Sequence, residues 1–182
     1  MTSRANSGAQ AGGKQVTRRQ SRRKAFELLF ELEQHPGLTC AQILERTFTD
    51  PDVIELCVLD EDDDGYVSGP LTDAAQLFIR ELVEAVCEHK QDLDAELAKY
   101  PHDWSYDRIG CTERVLLRLA LAEMIHLGTS HKVVINEALD LSKLYAQDDA
   151  RRFINGILGA VVRNLEQPGA DNQDAPAGGP EQ

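Results

Sequence analysis

The sequence predicts an all-α protein of about seven helices. Two observations carry that expectation: apolar residues recur at helical spacing through the segments between Arg18 and Leu165, and no segment alternates apolar and polar residues as a half-buried strand would. A third is where the strongest breakers fall, with His35-Pro36-Gly37, Pro101 and Gly128 at the ends of periodic runs. With 182 residues, 42% of them hydrophobic and 27% charged, the chain can bury one domain or two small helical lobes sharing a core. No internal repeat is present.

Residues 1–17 are rich in Gly, Ala, Ser and Gln and carry Arg4 and Lys14, so a disordered basic tail is expected. From Arg18 to about Glu33, Ala25, Phe26, Leu29 and Phe30 share a helical face, with Leu28 and Leu32 less well aligned, and His35-Pro36-Gly37 stops the run. A short helix after Thr39 uses Ile43, Leu44 and Phe48. Residues 50–70 are acidic and broken by Pro51, Gly65, Gly69 and Pro70, which reads as a long surface loop. Leu71 to about His89 carries the clean stripe Leu71, Ala74, Ala75, Phe78, Ile79, Leu82, Val83 and Val86. Leu93 to Tyr100 continues it before Pro101.

Nearly every position from Thr112 to Leu127 is apolar, as expected of a helix surrounded by others. Gly128 ends it, and Thr129 or Ser130 is placed to cap a helix carrying Val133, Val134, Ala138, Leu141 and Leu144. Gln147-Asp148-Asp149 then opens a last helix through Phe153, Ile154, Ile157, Leu158, Val161, Val162 and Leu165, with early acids suited to the positive helix end. The Asn155-Gly156 pair does not interrupt the apolar spacing. Gly156 and Gly159 are therefore read as points of close helix approach. Residues 167–182, rich in Pro, Gly and acid, are expected to be a second disordered tail around a helical domain of residues 18–166.

The formal net charge of −12 is unevenly spread. Residues 1–24 hold seven basic side chains and no Asp or Glu, leaving twelve basic groups against all 31 acidic ones in the rest. An acidic body repels a polyanion while a basic arm attracts it, so nucleic-acid contact is expected to be local to the arm. Cys40, Cys57, Cys87 and Cys111 form no Cys-x-x-Cys pair, and no two of the five histidines are three or four residues apart, so no metal site or cofactor is expected. The sequence shows neither an apolar stretch of bilayer-spanning length nor a secretory leader, and a cytoplasmic protein away from membranes is expected.

The strongest functional signal is Arg18-Arg19-Gln20-Ser21-Arg22-Arg23-Lys24 at the start of the first helix. Cations there oppose the helix dipole, which points to a compensating anion, and guanidinium groups clamp phosphates and stack on unpaired bases. Asp60, Asp62, Asp64 and Gly65 match the opening of an EF-hand loop, with Ser68 at the ninth position; the twelfth is Leu71, where a bidentate Glu is required, so a solvated acidic loop is predicted. Asn136 and Glu137 in one apolar helix, and Arg114 and Arg118 in another, predict a structural polar network between the two. No nucleophile, phosphate loop or metal constellation accompanies them, and no catalysis is predicted.

The segments RRKAFELLF (22–30), TERVLLRLALAE (112–123), KVVINEALDLSK (132–143) and DDARRFINGIL (148–158) resemble the NusB family of bacterial transcription antitermination factors, in the family's order and spacing. The resemblance implies two small packed helical bundles. It also implies binding of boxA-type RNA together with the ribosomal protein NusE, and entry of that complex into the elongating RNA polymerase assembly that supports ribosomal RNA transcription. It assigns RNA contacts to Arg18, Arg19, Arg22, Arg23, Lys24, Asp149 and Phe153, and partner contacts to Phe30 and Glu113. Phe30 stands where some members carry Tyr, Ala122 where an aromatic is common, and Ser130 where Pro is frequent. Two rival readings are a pure protein-interaction module, which predicts binding insensitive to the basic arm, and the NusB-like domain of an RNA cytosine methyltransferase. The latter needs a cofactor domain, and only a short polar tail follows Leu165, so a free-standing factor is expected.

Overall fold

The computed structural model describes residues 16–49, 58–59, 66–67, 71–100 and 108–166. The two tails (1–15 and 167–182), most of the acidic loop with Asp60, Asp62, Asp64, Gly65 and Ser68, and Pro101 lie outside the described residues. Seven α-helices are described: α1 (Arg18–Gln34), α2 (Cys40–Thr49), α3 (Asp73–Glu88), α4 (Lys90–Leu97), α5 (Cys111–His126), α6 (His131–Tyr145) and α7 (Asp148–Glu166). None of them is long and apolar enough to cross a membrane.

The helix ends follow from local chemistry. Thr17 and Gln20 form a reciprocal capping box at α1, with Gln20 N donating to Thr17 Oγ1 at 3.2 Å and Thr17 N donating to Gln20 Oε1 at 2.7 Å. Thr39 and Gln42 repeat the arrangement at α2, and Thr72 caps α3 through Ala75 N at 3.3 Å. Gly128 adopts φ 65° just beyond α5, the left-handed turn that a side chain disfavours. Ser130 occupies the position before α6, but its side chain makes no capping hydrogen bond. The stripe read as continuous through Tyr100 is divided at His89, where the backbone leaves α3 and re-enters as α4.

α5 is the shared axis. It packs against α1, α3 and α4 on one side and α6 and α7 on the other, with α2 resting on α1 and α3. Every residue from Val115 to Met124 is buried, Arg118 and Glu123 included. Leu116, Leu117 and Leu121 share one buried cluster with Phe26, Ile79 and Leu82 and with Ile154 and Leu158. Burying each such side chain contributes roughly 1.5–3 kcal/mol, so removal of any one is felt across both bundles.

Three expectations need correction. First, the segment expected to be free of strands contains β1 (Val58–Leu59) paired antiparallel with β2 (Tyr66–Val67), in the register Val58 to Val67 and Leu59 to Tyr66. Two residues are too short a run to show alternation. Second, Gly156 and Gly159 are not helix contacts: a Cβ at Gly156 would meet nothing within 4 Å, and one at Gly159 only Arg163 of its own helix. Third, the polar residues of α5 and α6 do not pair as expected. Asn136 is exposed, Arg118 reaches α4 and α1 instead, and Glu137 faces Arg22 of α1.

Candidate nucleic-acid interface

The capping box starts α1 at Arg18, and 100° per residue then sends the five cations of its first two turns to different neighbours. Arg18 is exposed and lies over the Phe78 ring of α3, its Cζ 4.1 Å from the centroid. Arg19 points towards α6, 3.5 Å from Asp140, with half its side chain exposed.

Arg22 turns inward. It is 7% exposed and grips Glu123 of α5, itself 1% exposed, through Nε at 2.8 Å and Nη2 at 2.7 Å. Its Nη1 lies 3.6 Å from Glu137 of α6. Burial opposes the charge on Arg22, but the hydrogen bonds and charge of Glu123, then the charge of Glu137, outweigh it and hold its pKa above the usual value.

Arg23 donates to Tyr145 at 2.8 Å, and Tyr145 donates to Glu27 at 2.6 Å, closing a bridge between α1 and the end of α6. Burial together with Glu27 pushes the Tyr145 phenol up to about 12, against the pull of Arg23. Lys24 sits 3.8 Å from the same Glu27. Much of the anion expected opposite the basic run is therefore supplied by the chain itself, through Glu27, Glu123, Glu137 and Asp140. This explains how a helix tolerates cations at its positive end without invoking a ligand for each.

The two flanks of α1 differ in sign. Towards α3, Arg18 and Arg22 border an open cleft walled by Glu81, Glu84 and Glu88, with His89 and His126 stacked at 3.9 Å beyond them. Towards α6 and α7, Asp140 is faced by Lys143 at 2.6 Å, by Arg19, and by the charge of Arg151. The hydrogen bond from Lys143 dominates, against a modest burial penalty, and with Arg19 and Arg151 it holds the Asp140 carboxyl below its usual range. Arg151 and Arg152 are exposed in the first turn of α7, beside exposed Asp149. Phe153 follows, half-buried against the core.

Sequence reasoning named Asp149 and Phe153 but passed over Lys143 and Arg151. Both stood inside the motifs that carried the resemblance. The signal was an Arg-Arg pair on the exposed face of an amphipathic helix, which counts once α6 and α7 are known to bring it beside Arg19.

The expected partner residues lie further along α1. Phe30 is half-buried, its ring 6.0 Å from that of Phe26, which packs on Tyr145 at 4.6 Å. One turn later Gln34 donates to Cys111 Sγ at 3.4 Å, joining the end of α1 to the start of α5. Glu113, in the first turn of α5, folds its carboxylate back over Gly110, where an added Cβ would clash with Oε2. Phe30, about one turn before Gln34, and Glu113, two residues after Cys111, thus flank the same helix junction. Among the described residues, no group of three or more His, Cys, Asp or Glu side chains is arranged to hold a metal ion.

The NusB family model matches residues 19–163. The transcription antitermination protein NusB of Desulfovibrio desulfuricans is 38% identical over 157 residues, 86% of this chain and 90% of that protein. The fold is similar to T. maritima NusB, with TM-score 0.66 and 26% identity over 82% of this chain and 93% of that one. It is also similar to a chain in a crystal structure of antitermination factors NusB and NusE in complex with dsRNA, with TM-score 0.61 and 26% identity, covering 80% of this chain and 96% of that one. With the family pattern running from the first helix almost to the end of the last, and more than a third of residues shared with a curated member, this chain belongs to the NusB family.

Proposed function

We propose that this protein is a transcription antitermination factor that binds boxA-type RNA jointly with the ribosomal protein NusE and carries it to the elongating RNA polymerase. The role asks for no catalysis by the chain, and its place is wherever the cell transcribes, the cytoplasm of a bacterium. The observation that carries this reading is the grouping of Arg19, Lys143 and Arg151 around Asp140, which extends the cationic start of α1 onto the first turn of α7. A strand of RNA has phosphates every few ångströms and needs such a track rather than a single pocket.

On this reading Arg19 and Arg151 meet phosphate, Arg18 stays over the Phe78 ring at the edge of the α3 flank, and Phe153, with Asp149 beside it, offers a contact for an unpaired base. Arg22 acts from inside, fixing the pitch of α1 against α5 and α6, while Arg23 and Lys24 contribute through the Tyr145 and Glu27 bridge. The acidic wall of Glu81, Glu84 and Glu88 keeps the polyanion off the opposite flank. Phe30 and Glu113, at the α1–α5 junction, are proposed to receive NusE, so that RNA and protein partner share α1.

The test is boxA-type RNA affinity, with and without NusE, at two salt concentrations. The intact chain is expected to bind more tightly with the partner and to weaken steeply with salt. An Arg19→Ala, Arg151→Ala variant is expected to lose affinity and part of the salt slope while the partner still binds. Unchanged RNA binding in that variant would place the interface elsewhere.

A further inference from the structure

We propose that Cys40 and Cys87 are a modification site: a thiol pair that hydroperoxides convert to a reversible disulfide joining α2 to α3. The two residues are 47 positions apart, and the fold brings them together. Cys40 is the first residue of α2, immediately after the capping Thr39 and within its box with Gln42, and Cys87 is in the last turn of α3. The two helices pack against each other, and both thiols are half-buried at the edge of the core. They line one cleft, between Leu29, Glu33, Val86 and Lys90, and each thiol acts on the ionisation of the other.

The pair is chemically asymmetric. The neighbouring Cys87 thiol lowers the Cys40 pKa despite burial and the nearby Glu84 and Glu88; Arg80 acts in the same direction as Cys87, and the capped N-terminus of α2 favours the thiolate too. Cys87 is pushed up by the neighbouring Cys40 and by burial, with Lys90 opposing. Cys40, at the positive N-terminus of α2, is the nucleophile, and Cys87, in the last turn of α3 where the helix end is negative, is the resolving thiol, an arrangement common to redox-sensing pairs.

With hydrogen peroxide as oxidant, the Cys40 sulfur attacks one peroxide oxygen, the O–O bond breaks, and hydroxide departs as water after taking a proton. Cys40 is then a sulfenic acid. The Cys87 sulfur attacks the Cys40 sulfur, the S–S bond forms, the S–O bond breaks, and the hydroxyl leaves with the Cys87 proton as a second water. Two thiols are oxidised by two electrons and one peroxide is reduced to two waters.

Cys111 stands apart, at the start of α5, where its sulfur accepts from Gln34. Cys57 lies outside the described residues and is distinguished by the experiment. Trypsin divides the four cysteines among peptides 25–46, 47–80, 81–90 and 109–114, one in each. The reduced full-length protein, treated with a small excess of hydrogen peroxide and mapped without reductant, is expected to lose two of its four titratable thiols. Peptide 25–46 should be linked to 81–90, and dithiothreitol should reverse the link. A Cys87→Ser variant should stop at a sulfenic acid on Cys40, trapped by dimedone. Linkage of either peptide to 47–80 or 109–114, sulfenic acid on Cys40 in the unsubstituted protein without a link, or retention of all four thiols would each overturn the proposal.

Discussion

Arg22 and Arg118 are buried to almost the same degree, 7% and 5% exposed, and they arrive there from opposite sequence surroundings. Arg22 belongs to a run of cations that reads as a ligand-binding arm, and Arg118 stands in an apolar helix where only a structural role fits. Both end as struts. Arg22 ties α1 to α5 and, through Glu137, to α6; Arg118 ties α5 to Asp94 of α4 at 2.6 Å and to Glu33 of α1 at 2.9 Å. A run of like charge therefore describes a segment and says nothing of its individual members. On a helix, neighbours in sequence are 100° apart in direction, so one residue of such a run can be buried while the next meets water.

The carboxylates separate the two struts. Glu123 is 1% exposed by side chain and Asp94 29%, so water can replace the latter and not the former. Replacing Glu123 by Ala leaves Arg22 buried with only Glu137 at 3.6 Å. Breaking such a pair costs about 3–5 kcal/mol, and a large fall in the urea midpoint is the expected result. Asp94→Ala leaves Arg118 with Glu33 and with solvent, and the expected loss is smaller, about 1.5–3 kcal/mol. Equal losses in the two variants, measured by the same denaturation, would show that burial of the acid does not set the difference.

Inward and outward arginines are expected to differ in function as they do in place. Arg19→Ala together with Arg151→Ala removes two surface cations, and each lost phosphate contact is expected to reduce the salt slope of single-stranded RNA binding by about 0.7. Their urea midpoint should stay close to that of the intact protein, since exposed pairs such as Arg19 with Asp140 contribute about 0–1 kcal/mol. Arg22→Ala should do the reverse, losing stability first. An Arg19, Arg151 variant that unfolds as readily as the Glu123 variant would erase the distinction.

The contrast also marks what was legible in the sequence. Element types and most boundaries followed from spacing and punctuation, because α5 is apolar on all sides and Thr17, Thr39, Thr72 and Gly128 mark ends through backbone chemistry local to a few residues. Partners did not follow. Arg22 and Glu123 are 101 residues apart, and nothing local distinguishes Arg22 from Arg19 until α1 is laid on α5. Gly156 and Gly159 misled for the same reason, since a small residue on a helix signals close approach only when that face meets another helix. The basic arm was visible as composition; its continuation to Lys143 and Arg151 depended on α6 and α7 returning beside α1.

The smallest expected effect tests the bridge between the two kinds of arginine. Arg23 is neither buried like Arg22 nor outward like Arg19, and it is held by Tyr145, which in turn donates to Glu27. Tyr145→Phe removes one hydroxyl from that chain, at an expected cost of about 0.5–1.5 kcal/mol. The pH dependence gives it a signature. Tyr145 is an acid whose folded pKa is raised, from 10.0 to about 12, so it is the protonated form that the fold favours. The stabilisation is fully present below pH 10 and is lost as pH rises from there towards about 12, because the unfolded chain releases the proton first. Comparing stability curves of the intact protein and Tyr145→Phe between pH 8 and 12 should show the gap closing across that window, with phenolate absorbance reporting the same titration. A gap that stays constant with pH would mean that Tyr145 acts by packing on Phe26 alone, and that Arg23 owes nothing to the hydroxyl beside it.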